Sequence, residues 1–530
     1  MDPSVSGLQL LDLPNELILL ILLADLPSDA LLCLASLCRR LHYLALPLYF
    51  ASYGMDDPTQ SVNVVMLDNQ QDPLSALQMA LFISSITQLS CSLPHYESSI
   101  YPLGPHIRRL RALVTRLESV REVTITWDAP NSSCCATNED VEELASEIGM
   151  LLNMILKRGC TSLTLRHGKF FSRAYEYSPP RDVVRPVDAL RSVVRHIVPK
   201  TPSFKAPRDA WRALKALGNI VLDPETDAAS VLTHLKIESS MFLFPPCLSW
   251  LLSALRSSSI SSIELTGVTL PTKIWSAVLP LIASLVPTVT QLTISHLYGI
   301  SGIDILEFLA KLPRLQSLTI GYTEYSRHIQ SSCPDSGPVP ILRELTHLHA
   351  PSTFILHFLK KKSLPNLSSL CITPRKLILG FRGMRHIGQF VSDIVCRLEK
   401  HKLSPTVCLE IHGGLDSGTE MAADLAHVLP AGVLRCLRVI TRLIMYSESD
   451  VLTAPELVTI ARWITRFPAL VHVSLRVRGT SNDDSDAWAT LDSAQSILEQ
   501  NPNVQSLELN GRLFDTLRPV AREIPPHVGL

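Results

Sequence analysis

Net charge is almost absent from this chain: 48 Lys and Arg stand against 49 Asp and Glu, leaving −1 over 530 residues. A balance of that kind provides no whole-chain footprint for nucleic acid or an anionic membrane, so any such role would have to be local. Long apolar runs are scarce as well. Leu17 to Ala24 is a run of only eight residues, against about 20 needed to cross a bilayer. No Lys or Arg precedes Arg39, which argues against a secretory signal with a basic first region. The twelve cysteines lie singly apart from Cys134-Cys135, with no C-x-x-C pair. This scatter is the pattern of reduced thiols in a cytoplasmic or nuclear protein, and it builds neither a metal-ligand pair nor a disulfide framework. Catalytic signatures are missing too: no G-x-S-x-G, H-E-x-x-H, Walker A or papain-like cysteine occurs. With no nucleophile, base or metal held by supporting groups, the chain is expected not to be an enzyme and to need no cofactor.

Aliphatic residues are what the chain has. Hydrophobic residues make up 46%, aromatics 6%, and the mean hydropathy is +0.21, which favours layers of Leu, Ile and Val over aromatic packing. They recur in a short unit, seen most plainly in Pro313-x-Leu315-x-x-Leu318-x-Ile320, Pro365-x-Leu367-x-x-Leu370-x-Ile372, Pro468-x-Leu470-x-x-Val473-x-Leu475 and Pro502-x-Val504-x-x-Leu507-x-Leu509. Looser copies centre on Leu235, Ile263, Leu292, Leu348, Leu409 and Leu443, with earlier ones at Val123 to Ile125 and Leu163 to Leu165. The nine steps from Leu235 to Leu507 average about 30 residues, the length of one strand plus one helix. Val62 to Met66 is read as the first strand and Pro73 to Leu89 as the helix after it. Further helices are expected over Glu420 to Val428, opened by Ser417-x-x-Glu420, over Glu456 to Phe467, and over Asp486 to Gln500.

The period breaks between Leu165 and Leu235. From 169 to 222 there are eleven Lys and Arg against four Asp and Glu, a net of +7. Residues 169–228 are therefore read as an irregular basic insertion, with helical candidates at Val187 to Val198 and Asp209 to Leu217. Arg185, Arg191 and Arg195 could meet an anionic partner, or the charge could simply solvate a loop. The insertion lacks interleaved aromatics, which argues against single-strand nucleic-acid binding.

The first fifty residues differ from the rest. Leu13-Pro14 opens an apolar helix that ends before Leu26-Pro27, Ser28 caps a second helix with Asp29 in its first turn, and Arg39 to Leu46 forms a third, closed by Pro47. So small a leucine-rich bundle cannot bury all its apolar surface, which predicts a face kept for a partner. Leu13-Pro14-x-Glu16-Leu17, Ile21, Leu26-Pro27-x-Asp29, Leu31-Leu32, Leu34 and Cys38-Arg39-Arg40 resemble the F-box, the adaptor-docking motif of SCF-type ubiquitin ligases. Leu41 stands where many F-boxes carry tryptophan. The repeats behind it resemble an irregular leucine-rich-repeat solenoid of the type found after F-boxes in fungal proteins, although the usual Asn or Cys after each strand is mostly missing.

These resemblances imply an α/β chain with a three-helix F-box over residues 1–55 and a leucine-rich-repeat-like βα solenoid over 56–530. Leu13, Pro14, Leu17, Ile21, Leu26, Leu31, Leu34 and Leu41 would dock a Skp-type adaptor and, through it, a cullin. The repeats would hold an unknown protein substrate, with neither membrane nor nucleic acid as a partner. In the rival reading the chain is an interaction scaffold whose N-terminal helices only cap the repeats.

Three clusters have blander explanations. His347-x-His349 with His357 nearby is the most metal-like group, but it lacks a fourth ligand at a familiar spacing, so these are read as surface or core histidines and no metal site is assigned. Gly413-Gly414-x-Asp416-Ser417-Gly418 suits a turn before a helix better than a phosphate loop. Asn482-Asp483-Asp484-Ser485-Asp486 suits a loop feeding a helix N-terminus.

Overall fold

The computed structural model describes residues 10–66, 72–93, 103–127, 138–168, 230–243, 247–321, 339–373, 381–412, 437–447, 454–477, 491–515 and 518–523, isolated positions aside, together with two short strands between 169 and 229. The chain divides into two compact units, Met1–Val286 and Pro287–Leu530.

The first unit opens with three helices, α1 (Asn15–Leu22), α2 (Ser28–Leu37) and α3 (Arg39–Ser52). It continues as β1 (Ser61–Val65), α4 (Leu74–Met79), β2 (Ser85–Leu93), α5 (Leu103–Arg116), β3 (Ser119–Trp127), α6 (Asn138–Lys157) and β4 (Ser162–His167). After β5 (Tyr175–Tyr177) and β6 (Ile197–Pro199) come β7 (His234–Glu238), α7 (Cys247–Ser257), β8 (Ser262–Thr266) and α8 (Thr272–Leu285). Strands β1, β2, β3, β4, β7 and β8 are neighbours in that order and pair in parallel. Parallel neighbours need a crossover, and α4, α5, α6 and α7 supply it between β1 and β4 and between β7 and β8.

The second unit repeats the scheme. It contains β9 (Gln291–Ser295), α9 (Gly302–Leu309), β10 (Ser317–Ile320), β11 (His347–Pro351), α10 (Ser352–Phe358), β12 (Ser369–Thr373), α11 (Phe381–His401) and β13 (Thr406–His412). There follow β14 (Ile440–Ser447), α12 (Ala454–Ile464), β15 (His472–Val477), α13 (Leu491–Gln500), β16 (Ser506–Leu509), β17 (Arg512–Asp515) and β18 (Arg518–Glu523). Strands β9 to β16 pair in parallel, each with the next, and β17 and β18 then add on antiparallel. Both units are therefore leucine-rich-repeat-like βα solenoids, the expected α/β class, behind a three-helix N-terminus.

Alternation explains the layering. In β10 the burial runs half-buried, buried, half-buried, buried, so Leu318 and Ile320 face the helices while Ser317 and Thr319 take the opposite face. Every strand expected from the repeat unit is present at its place. The turn before several strands is held by a device the sequence reading missed. The carbonyl of Thr161 accepts the N–H groups of both Thr233 and His234, at 2.9 and 3.0 Å, and that of Thr346 accepts both Ser368 and Ser369, at 2.9 Å each. Side-chain hydroxyls double the link: Thr233 donates to Thr161 O at 3.1 Å, Ser261 to Thr233 O at 3.2 Å, Thr346 to Gln316 O at 3.0 Å and Ser368 to Thr346 O at 3.0 Å. Ser and Thr at these strand entrances thus add a side-chain bond beside the backbone one.

Several boundaries differ from the sequence reading. Pro73 to Leu89 is not one helix. Only Leu74–Met79 is helical, and the alternation through Ile86, Leu89, Cys91 and Leu93 makes β2. Helix α3 runs through Pro47 to Ser52, because Leu46, Tyr49 and Phe50 are all buried and their packing outweighs the one backbone bond that an exposed proline removes. Pro27, extended at φ −63° and ψ 148°, is the N-cap of α2, and Ser28 is its first helical residue. Ile197–Pro199 pairs antiparallel with Tyr175–Tyr177 instead of ending a helix at Val198. The rest of the basic insertion, including Asp209 to Leu217, lies outside the described residues, as do Glu420 to Val428 and the Gly413 and Asn482 clusters. Among the described residues, no helix is long and apolar enough to cross a membrane.

Candidate functional sites

Arg40 organises the N-terminal surface. Its guanidinium donates to Asn15 Oδ1 at 2.8 Å and to the carbonyls of Leu11 and Leu13 at 2.6 Å each, tying the start of α1 to the start of α3. One planar fork thereby fixes the Leu13-Pro14 entrance, a task its rigid donor geometry suits. Beyond it, Ile18 and Leu22 are buried. The other side of the same helix stays open: Leu17, Leu20 and Ile21 are 46, 65 and 44% exposed, with Leu23 just past its end 62% exposed and Leu10 and Leu11 leading into it. So many neighbouring aliphatic side chains in water mark an interaction surface more than a random scatter.

The eight residues expected to dock a partner separate into three groups. Pro14, Leu17 and Ile21 are exposed, while Leu13, Leu26 and Leu34 are half-buried. Leu31 and Leu41 are corrected: at 5 and 3% exposure both belong to the core of the bundle and present nothing to a partner. Leu41 sits at the start of α3, whose inner face carries Ala45, Leu46, Tyr49 and Phe50 inward with it. The same helix joins the bundle to the first repeat. His42 Nδ1–H donates to Ala35 O at 3.2 Å, and its Nε2 accepts the Leu81 N–H at 3.1 Å. The Phe82 ring packs at 6.2, 5.9 and 6.3 Å, between centroids, from the rings of His42, Tyr43 and Phe50.

A second candidate site lies on the sheet face opposite the helices of the second unit. Register places Thr319, His349, Cys371, Cys408, Arg442, His472 and Ser506 on successive strands in one lateral row. The next row on that face carries Thr373, Ile444, Ser474 and Glu508, with Glu410 between Thr373 and Ile444. The rows make two linked clusters. In the first, His349 Nε2 lies 2.7 Å from Glu410 Oε2 and 2.8 Å from Thr373 Oγ1, and Cys371 Sγ donates to Glu410 Oε2 across 3.6 Å. The Cys371 thiol is pushed far up, first by its hydrogen bond to Cys408, then by burial and by the charge of Glu410. In the second, Arg476 holds Glu508 at 2.8 Å and lies 5.9 Å over the Tyr446 ring. Burial, followed by the Glu410 carboxylate, raises the Tyr446 phenol, while burial and then Arg442 lower His472.

The first unit has its own polar stretch on β4, β7 and β8. Arg166 pairs with Glu238 at 3.0 Å, and Lys236 bridges Glu238 at 3.1 Å and Glu264 at 3.2 Å. The three histidines of the sequence reading do not converge. His347 is exposed, His357 is 1% exposed on α10, and only His349 meets other ligand-type atoms. Arg185, Arg191 and Arg195 lie outside the described residues.

Repeat alignment conceals the His349 cluster. Leu370 and Leu409 are equivalent in the repeat unit, yet Leu370 pairs with Val407 and Ile372 with Leu409. This offset of one dipeptide brings Cys408 beside Cys371 and moves Glu410 level with Thr373. The signal that could have located the face is the residue between the two apolar positions of each strand, polar in most of the repeats.

No family model matches the chain, and no curated protein matches it. Among solved structures, the crystal structure of a TLR13–ssRNA13 complex is similar at 13% identity and a TM-score of 0.24, covering 81% of this chain and 50% of that one. The chain thus spans half the length of that neighbour, and its fold rests on the strand pairing described above.

Proposed function

We propose that this chain is the substrate-recognition subunit of an SCF-type cullin-RING ubiquitin ligase. It acts as an adaptor in the cytoplasm or nucleus, docking a Skp-type protein by its N-terminal helices and a protein substrate by its repeats. The observation that carries this reading is the open aliphatic side of α1 beside a Leu13-Pro14 entrance that Arg40 holds in place. A surface of that kind is stabilised by mass action once a partner covers it. The substrate would lie on the polar sheet face, so that proximity to a ubiquitin-charged enzyme recruited elsewhere supplies the rate. Co-purification with a Skp-type adaptor tests the docking. Recovery is expected for the parent and at least tenfold less for Leu17→Asp with Ile21→Asp, both exposed and therefore neutral to folding. Failure of the parent to capture the adaptor, or equal capture by the variant, removes the assignment.

The rival is an interaction scaffold whose helices only cap the first repeat, and the packing of Phe82 on α3 favours it. A scaffold of this kind retains its repeat-bound partners in the Leu17→Asp, Ile21→Asp variant and gains no ubiquitinated partner when the proteasome is inhibited.

A further inference from the structure

The geometry points to a zinc-type divalent-cation site on the sheet face of the second unit, formed by His349 Nε2, Cys371 Sγ and Glu410 Oε2, with the fourth position left to water. The three ligand atoms lie within 4.8 Å of one another. Metal–ligand lengths of 2.0–2.3 Å imply, in a tetrahedron, ligand atoms about 3.3–3.8 Å apart. The Cys371–Glu410 separation of 3.6 Å falls inside that range. The His349–Glu410 contact of 2.7 Å must open by about half an ångström to admit an ion.

Softness and charge choose the metal. One sulfur, an imidazole and one carboxylate disfavour calcium and magnesium and suit zinc, with cobalt(II) as its spectroscopic substitute. Loading exchanges a proton: one Zn²⁺, one thiol, one neutral imidazole and one carboxylate become a complex of net charge zero and release one proton. An ion entering from the solvent meets His349 first, because its side chain is 31% exposed while that of Glu410 is 9% exposed. The ligands come from three adjacent strands, β11, β12 and β13, so a bound ion would tie consecutive repeats and fix their unusual register. It would also lie in the middle of the surface proposed to meet a partner. The site stands independently of the ubiquitin-ligase reading.

Cobalt titration of the full chain, after removal of bound metal with a chelator, tests the site. The expected result is a thiolate-to-cobalt absorption band that saturates at one equivalent and is displaced by zinc. Cys371→Ser should abolish the band, and His349→Ala should weaken affinity at least tenfold. Cys396→Ser, an exposed cysteine on α11, should leave both unchanged. If Cys371→Ser does not fold, His349→Ala keeps the test, since a half-exposed side chain is removed there. The proposal is overturned by the absence of a band, by a band that survives Cys371→Ser undiminished, or by a Cys371–Cys408 disulfide in the freshly purified protein with no metal bound.

Discussion

Asp72 and Arg109 form a two-pronged ion pair, Nη1 to Oδ2 at 2.9 Å and Nη2 to Oδ1 at 2.7 Å, around a carboxylate with no exposed side-chain surface. Asp72 also accepts the Leu74 N–H at 3.1 Å, so one side chain both starts α4 and anchors α5. Removing one member of a buried pair leaves the other charged and unpaired. Asp72→Ala is therefore expected to lower stability by about 3–5 kcal/mol, read as an earlier first transition in urea. Asp72→Ala combined with Arg109→Leu should recover much of that loss.

Arg40→Ala releases three hydrogen bonds that hold the entrance of α1. Because Arg40 is exposed, the effect should stay local, about 1–2 kcal/mol. Hydrogen–deuterium exchange should speed up about tenfold over residues 10–22 and remain unchanged in the repeats. Arg40→Lys should not restore protection, since one ammonium cannot span three acceptors on separate residues.

Gly321 follows β10 and lies against Ser295 of the preceding repeat. A Cβ built there would lie 2.7 Å from Ser295 Cβ, inside any tolerated contact. Gly321→Ala should cost about 1–3 kcal/mol by overpacking, and Ser295→Gly should relieve it. Thermal unfolding of the two single variants and the double variant measures the coupling.

His472 contributes a pH dependence of known sign. Its imidazole sits 2.7 Å from Ser506 Oγ, and burial together with Arg442 lowers its pKa below the ordinary value of 6.5. The unfolded chain therefore binds the proton more readily, and the stability contributed is complete above the unfolded pKa and lost as pH falls through the folded one. Denaturation midpoints between pH 7.5 and about 5 should fall more steeply for the parent than for His472→Gln. Equal slopes would remove the assignment.

The strands were legible in the sequence because each carries two aliphatic positions, such as Leu318 and Ile320, whose burial does not depend on neighbours. Boundaries set by tertiary packing were not. Pro47 reads as a stop until Tyr49 and Phe50 are seen buried beyond it, and Ile86 to Leu93 reads as more helix until β1 and β3 flank it. The N-terminal surface was half legible: Pro14, Leu17 and Ile21 face out, but leucine content alone could not separate them from Leu31 and Leu41, which face in. The His349 cluster was hidden, since its members are 22 and 39 positions apart and meet only through a register that departs from the repeat alignment.

The entrance hydroxyls have one more consequence. Thr233 finds Thr161 across 72 residues by the same bond that joins Ser368 to Thr346 across 22. Strands joined in this way are located by their own first residues and not by the length of chain that delivers them. Closing a longer excursion costs only about 0.6 kcal/mol per doubling, so the intervals between strands are free to lengthen, shorten or acquire new segments without disturbing the order of the array. Novelty in such a protein can accumulate between its strands while the lattice of strand entrances stays the same.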